Sequence, residues 1–270
     1  MLSDITIGQF YPGRSIIHRM DPRMKFALTF AYIVAIFIPQ NWAGLALSVA
    51  VVVGVAGLSR LPANLLLRGL KPVIPIIVLT AVLNLFYADG TVLWEWWILR
   101  LTVEGIAKAV FIAVRILCLV FGTSLLTYTT SPTTLTDALE RLLSPLKVLR
   151  VPVHEIAMMM TIALRFIPTL MEETGKIMAA QKARGADMES GGLIQRVKAL
   201  IPVLIPLFVS SFRRAYELAT AMECRCYRGG EGRTRMKQFR LGLIDYVSVA
   251  VMLVFIAAVI TLNFVFRSVL

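Results

Sequence analysis

From Leu241 to Phe266 the chain runs for 26 residues with a single charge, Asp245. Such a segment has one economical fate, a helix across a bilayer, because the hydrocarbon core is matched by about 17–25 largely apolar residues. It has company. Ile106–Tyr128 is long enough despite Lys108 and Arg115, and Leu70–Ala88 qualifies with Pro72 and Pro75 near its start. Phe26–Leu58 is 33 residues long and is interrupted at Pro39-Gln40-Asn41. Pro removes a backbone donor and Asn favours turns, so this stretch reads as two crossings. Five spans make an all-α integral membrane protein. At 58% hydrophobic residues among 270, the composition exceeds the roughly 45–50% of ordinary soluble domains.

Charge then orients the spans. There are 28 Lys and Arg against 16 Asp and Glu, a balance of +12. Arg14, Arg19, Arg23 and Lys25 precede the first span, the break at Pro39–Asn41 carries no charge, and Arg60, Arg68 and Lys71 follow the second. After the third, Asp89 and Glu95 outnumber Arg100. With five spans every basic loop falls on one side, and the positive-inside rule places the N-terminus in the cytoplasm and the C-terminus outside. No cleavable leader is visible, since the first apolar run begins at Phe26 after a polar segment. The three Cys form no paired framework, which points to a reducing compartment.

The chain therefore divides into a membrane domain over 1–128 with about four spans, a cytoplasmic segment over 129–240, and a C-terminal span over 241–270. The middle segment holds 17 basic and 10 acidic residues, yet it contains apolar runs at Ile156–Leu164 and Ile201–Phe212. Uninterrupted runs of nine and twelve are too short to span and suit buried or interfacial helices. Pro168, Pro202 and Pro206 are expected to kink or start helices.

Two stretches of this segment share one plan. Ile156, Met160, Ala163, Ile167, Met171, Thr174 and Met178 recur at helical spacing, and the stretch ends in Ala183-Arg184-Gly185. Leu200, Val203, Leu207, Ser211, Ala215, Leu218 and Met222 do the same before Cys224-Arg225-Cys226-Tyr227-Arg228-Gly229-Gly230. Pro168 lies 16 residues before Arg184 and Pro206 lies 19 before Arg225, which gives arms of about 24–28 Å. Small residues along both allow close crossing. Arg at a helix end suits the macrodipole by itself. A matched pair of planar, always-charged forks also suits two equivalent carboxylate-bearing partners.

Three blocks carry a family resemblance: Pro12-Gly13-Arg14-Ser15 into His18-Arg19-Met20-Asp21-Pro22-Arg23-Met24-Lys25; Leu164-Arg165-Phe166-Ile167-Pro168 through Ala183-Arg184-Gly185-Ala186-Asp187; and Leu200-Ile201-Pro202 through Phe212-Arg213-Arg214-Ala215 to Met222–Gly230. The chain resembles the transmembrane T component of energy-coupling factor (ECF) transporters, relatives of the CbiQ-type cobalt transport subunit. That resemblance implies a scaffold in the cell membrane that joins two ABC-type ATPase subunits to a membrane-embedded substrate-binding S component for vitamin or micronutrient uptake. It implies that Ala183, Arg184, Gly185, Cys224, Arg225 and Cys226 dock in ATPase grooves. Cys224 stands where the family pattern usually shows Ala.

Other constellations carry less. No glycine-rich loop ending in Lys-Ser/Thr is present, so ATP chemistry is expected from partners rather than from an enzymatic site here. His154-Glu155 opens like a metalloprotease helix, but position 158 is Met, and His18 and His154 are the only His. No metal and no cofactor are expected. Cys224 and Cys226 read as small packing residues and Cys118 as an apolar filler. Arg115 sits mid-span, where it costs about 2.5–3.5 kcal/mol. Its role is an ion path or a structural link, with Asp245 and Asn84 as candidate partners. The basic run over 231–240 immediately precedes a span and suits anionic lipid headgroups of the bilayer better than nucleic acid. The alternatives are a CbiQ-like subunit of a cobalt or nickel importer and, in a different class, a stand-alone ion-coupled secondary transporter. The latter would want several buried carboxylates and duplicated span pairs.

Overall fold

A computed structural model describes residues 10–87, 92–96, 99–186, 192–230, 232 and 239–266. Ala88 and Asp89, Asp187 and most of the basic run over 231–240 lie outside the described residues. The described residues are helical apart from turns, connections and one hairpin. Among the described residues it forms two compact units, one of 10–138 with 239–266 and one of 139–232.

The first unit contains α1 (Ile16–Arg19), α2 (Pro22–Ala35), α3 (Trp42–Ser59), α4 (Ala63–Leu70), α5 (Ile74–Tyr87), the antiparallel strands β1 (Val92–Trp96) and β2 (Leu99–Thr102), α6 (Val103–Thr129) and α10 (Leu243–Val265). Local chemistry sets most starts. Asp21 accepts from the Arg23 amide ahead of Pro22, whose missing donor costs nothing in a first turn. Asn41 accepts from the Gly44 amide at 2.7 Å, and Thr102 accepts from that of Gly105 at 3.0 Å. Within the interval after α5, the described residues form the hairpin, whose last residue caps α6.

In lipid, apolar side chains gain little by leaving one apolar environment for another, so packing and polar links decide which helices associate. Tyr32 and Ala35 of α2, Val52 of α3, Cys118 of α6, and Phe255 and Val259 of α10 form one buried cluster, with Tyr32 stacked on Phe255. Cys118 is thus an interior filler, as its position in a span suggests.

Polar groups, one buried and one half-buried, tie both ends of α10 to both ends of α2. Asp245, 3% exposed, accepts from the Asp21 amide at 2.9 Å and from the Gly242 amide at 2.8 Å. Eighteen residues later, about 27 Å along a helix, Asn263 donates to the Ile38 carbonyl at 2.7 Å and accepts from the Gln40 amide at 3.2 Å. That interval approaches the ~30 Å of a hydrocarbon core. Asp21 also holds the Arg23 guanidinium above its ordinary pKa through a hydrogen bond and charge.

The spans differ in detail from expectation. By length and composition, α3, α6 and α10 are crossing candidates, and the pair α4–α5, bent by 58°, is a further one. The bend falls where Pro72 and Pro75 withhold donors. Helix α2 has 14 residues, fewer than a crossing takes by itself. The largest departure lies in the second unit. It contains the end of α7 (Pro132–Leu142), a 3-10 turn (Ser144–Leu149), α8 (Val153–Ala183) and α9 (Leu193–Cys224). Helices α8 and α9 have 31 and 32 residues and are themselves long and apolar enough to cross a membrane. The reading of short apolar runs is therefore corrected. Counting uninterrupted apolar residues underestimates a helix whose charges are spaced along its length. Pro168, Pro202 and Pro206 lie inside these helices and start neither.

Replacing Asp245 by Ala orphans the buried Asp21 amide and uncaps the exposed Gly242 amide, and is expected to cost about 1–3 kcal/mol. Leu253→Ala, at a position 63% exposed, should change stability by less than about 1 kcal/mol. Thermal unfolding of the two variants in one detergent measures the difference.

Candidate functional site

The two Arg-bearing helix ends have the same backbone geometry. At the end of α8, Arg184 is the cap residue, with φ −85° and ψ 5°. The Gly185 amide donates to the Lys182 carbonyl at 3.0 Å and the Ala186 amide to that of Gln181 at 3.0 Å. At the end of α9, Arg225 is the cap, with φ −92° and ψ 14°. The Cys226 amide donates to the Glu223 carbonyl at 2.8 Å and the Tyr227 amide to that of Met222 at 3.1 Å. Both are Schellman ends, in which two crossed bonds satisfy the last carbonyls and the residue after the cap turns left-handed. That residue is Gly185 (φ +84°) in one and Cys226 (φ +56°) in the other. Register therefore equates Ala183 with Cys224, Arg184 with Arg225, and Gly185 with Cys226.

All six of these residues are exposed. Cys224 and Cys226 are free exposed thiols rather than packing residues. The expectation that they pack is corrected, because a helix end that projects the cap residue also projects its neighbours.

Helices α8 and α9 meet midway between these tips. Glu173 accepts from the Ser210 hydroxyl through Oε1 and from Arg214 Nη2 through Oε2, the latter at 2.9 Å. Glu173 lies eleven residues before Arg184, and Arg214 lies eleven before Arg225. Each tip is thus about 16 Å of helix from the ion pair. A second link joins the Gln181 amide to the Pro202 carbonyl at 3.4 Å. Moving along α8 from 173 to 181 moves back along α9 from 214 to 202, so the helices run in opposite directions and the tips lie on opposite sides of the crossing. The acceptor at Pro202 exists because Pro206 has no N–H to return to it.

The expected contact stripes are partly right. On α9, Val203 is buried and Leu207, Ser211, Leu218 and Met222 are half-buried, but Leu200 and Ala215 are exposed. On α8, Ile167, Met171, Thr174 and Met178 are half-buried, but Ile156, Met160 and Ala163 are exposed. There Val153 and Ala157 take the inward face. The start of α8 also receives the chain that follows α9. His154 Nδ1 lies 2.9 Å from Glu140 Oε1, and a Cβ on Gly230 would stand 2.5 Å from the His154 ring. Only glycine fits position 230, and His154 is a structural partner of Glu140 among the described residues.

Arg115 is also structural. It donates to the Pro39 carbonyl, and its guanidinium lies over Phe111 at 4.9 Å and Phe37 at 6.0 Å. Asp245 is engaged with Asp21 and Gly242, and Asn84 donates to the Thr80 carbonyl. The candidate partners named from sequence are thereby corrected. The break at Pro39 leaves carbonyls that no helix satisfies, and the Arg115 guanidinium, covered by aromatic rings, donates to one of them. No group of three or more metal-ligating side chains occurs among the described residues.

The family model described as CbiQ, cobalt transport protein, matches residues 13–236. The chain belongs to that family. The energy-coupling factor transporter transmembrane protein EcfT of Ruminiclostridium cellulolyticum is 54% identical over 267 residues, which covers 98% of this chain and all of that protein. The EcfT proteins of Bacillus subtilis and Lactococcus lactis subsp. cremoris are 46% and 45% identical, each over 88% of this chain and 90% of the relative. As a member of the CbiQ family, the chain has both matched helix ends within the region the family covers. Sequence reasoning found the tips but missed Glu173 as the joint. The equal spacing from Glu173 and Arg214 to their Arg tips was the signal available.

Two substitutions probe the tips. Gly185→Ala forces a left-handed residue to carry a Cβ and should lower stability by about 1 kcal/mol. Cys226→Gly should raise it by up to about 1 kcal/mol. Opposite-signed shifts in melting temperature are expected, and equal shifts would contradict the equivalence of the two ends.

Proposed function

We propose that the chain is the energy-coupling membrane subunit of an ECF-type importer, in which Arg184 and Arg225 each dock into one of two ATPase subunits. The observation that carries this reading is the pair of exposed Arg caps, both closed by the same Schellman hydrogen-bond pattern, on opposite sides of one crossing. One ligand does not need two equal points so far apart, whereas a dimer of like ATPases does. ATP binding and hydrolysis belong to those partners. Closure of the ATPase dimer changes the separation of its two grooves, and the crossed helices pass that change to a membrane-embedded S component. Ligand-driven change of this kind requires contact energies that differ between states.

The exposed face of α9 supports a second partner. Phe208 and Phe212 stack on one another at 61% and 72% exposure, beside Val209 and Tyr216. An apolar face of this extent marks an interaction surface or a lipid contact. The names of the relatives, which specify a transporter's transmembrane protein, fit the same role.

Charge supports a cytoplasmic position for α8 and α9 despite their apolar length. Lys147 and Arg150 precede α8, Arg184 follows it, and Arg225 and Arg228 follow α9. If either helix crossed, a basic end would face the outside, against the positive-inside rule. With α2 counted as a crossing beside α10, to which polar links tie it at both ends, the N-terminus lies in the cytoplasm and the C-terminus outside.

Arg184→Ala and Arg225→Ala should each weaken ATPase association by about 2–5 kcal/mol, the usual result of truncating one partner of a docked charge pair. The chain is copurified with ATPases and then reconstituted for uptake. Normal copurification and uptake by both variants would overturn the assignment. A membrane-impermeant maleimide should label Cys224 and Cys226 in inside-out vesicles only. Labelling in right-side-out vesicles would overturn the orientation.

A further inference from the structure

Two cavities of the first unit share a wall. One, about 450 Å³, lies among α2, α3, α6 and α10 and is bounded by apolar side chains such as Leu28, Tyr32, Val55, Leu126, Val251 and Phe255. Its rim at Leu58, Val247 and Val251 is more than half exposed, so it opens sideways from the helices. The other, about 310 Å³, is polar and carries Arg19, Lys25 and Arg240 together with His18, Asp21 and Ser131. Met20, Lys25 and Thr129 line both.

The charges of the polar cavity do not cancel. Asp21 is ion-paired to Arg23 at 2.8 Å. Lys25 is buried, and its ammonium donates to the Thr129 carbonyl at 3.1 Å and, at 3.4 Å each, to the His18 carbonyl and the Thr130 hydroxyl, all uncharged acceptors. The His18 ring is engaged by the Ser15 hydroxyl and the Tyr11 carbonyl. Arg19 and Arg240 remain exposed at the mouth. A ligand matched to both compartments has one anionic head and one long apolar tail, joined over a distance of a few atoms.

We propose that these paired cavities bind one anionic glycerophospholipid, with its phosphate at Arg19 and Arg240 and an acyl chain between α2, α3, α6 and α10. Basic pockets beside transmembrane helices recognise anionic headgroups in this manner, and the volume of the apolar part lies in the range of built ligand sites. The site turns the diffuse lipid attraction expected of the basic run over 231–240 into a defined contact at its last residue. It does not depend on the ATPase-docking role of Arg184 and Arg225.

The full chain in detergent is titrated with phosphatidylglycerol or phosphatidylcholine and followed by native mass spectrometry. One phosphatidylglycerol should be retained per chain, with phosphatidylcholine binding about tenfold or more weakly. Arg19→Gln combined with Arg240→Gln should remove that preference, and Arg19→Lys combined with Arg240→Lys should keep it. Val251→Trp, at an exposed rim position, should fill the apolar cavity and weaken both lipids. Equal retention of the two lipids by the unaltered chain would overturn the proposal. So would competition by inorganic phosphate with no effect of Val251→Trp, which would identify a free-phosphate site.

Discussion

Backbone groups left over where a helix stops must find partners, and this requirement organises the whole molecule. Its cost is highest in lipid, where water does not supply the missing bond. The turn at Pro39 leaves carbonyls that α2 and α3 do not use, and Arg115 and Asn263 arrive from α6 and α10 to take them. At the other end Asp245 receives the Asp21 amide. Because apolar contacts alone give weak preference among helices in a bilayer, these few links fix which helices are neighbours and at what height.

The same requirement shapes the long helices of the second unit. Schellman ends close both, and that closure projects Arg184 and Arg225 outward as cap residues. Pro206 frees the Pro202 carbonyl inside α9, and Gln181 of α8 occupies it. Glu173 then joins the helices with both of its oxygens. The result is a pair of tips whose separation is set by helix length and one crossing.

Much of this is legible in the chain, and the failures have identifiable physical causes. The apolar stretches 26–58, with its break at 39–41, 70–88, 106–128 and 241–266 are visible because bilayer thickness is written as apolar length. The tips are visible as Arg triplets at the ends of periodic stretches. The helical stripes over 156–178 and 200–222 are continuous in α8 and α9, but judging them on uninterrupted runs of nine and twelve residues underestimates their apolar length. Arg115 was assigned to carboxylate or amide partners, and the actual acceptor is a backbone carbonyl 76 residues away. A backbone carbonyl has no residue identity, so no pattern of residue types announces it.

The sequence by itself determined a multi-spanning helical protein, the helix break at Pro39–Asn41, and two similar Arg-bearing ends. These follow from local quantities: hydropathy, periodicity, and the donors that proline lacks. Tertiary structure decided what completes each break and where the arms cross. It also showed that Gly185 and Cys226, unlike as residues, hold the same left-handed position. Those facts rest on contacts between positions tens to hundreds of residues apart, which depend on three-dimensional packing and not on any window of the chain.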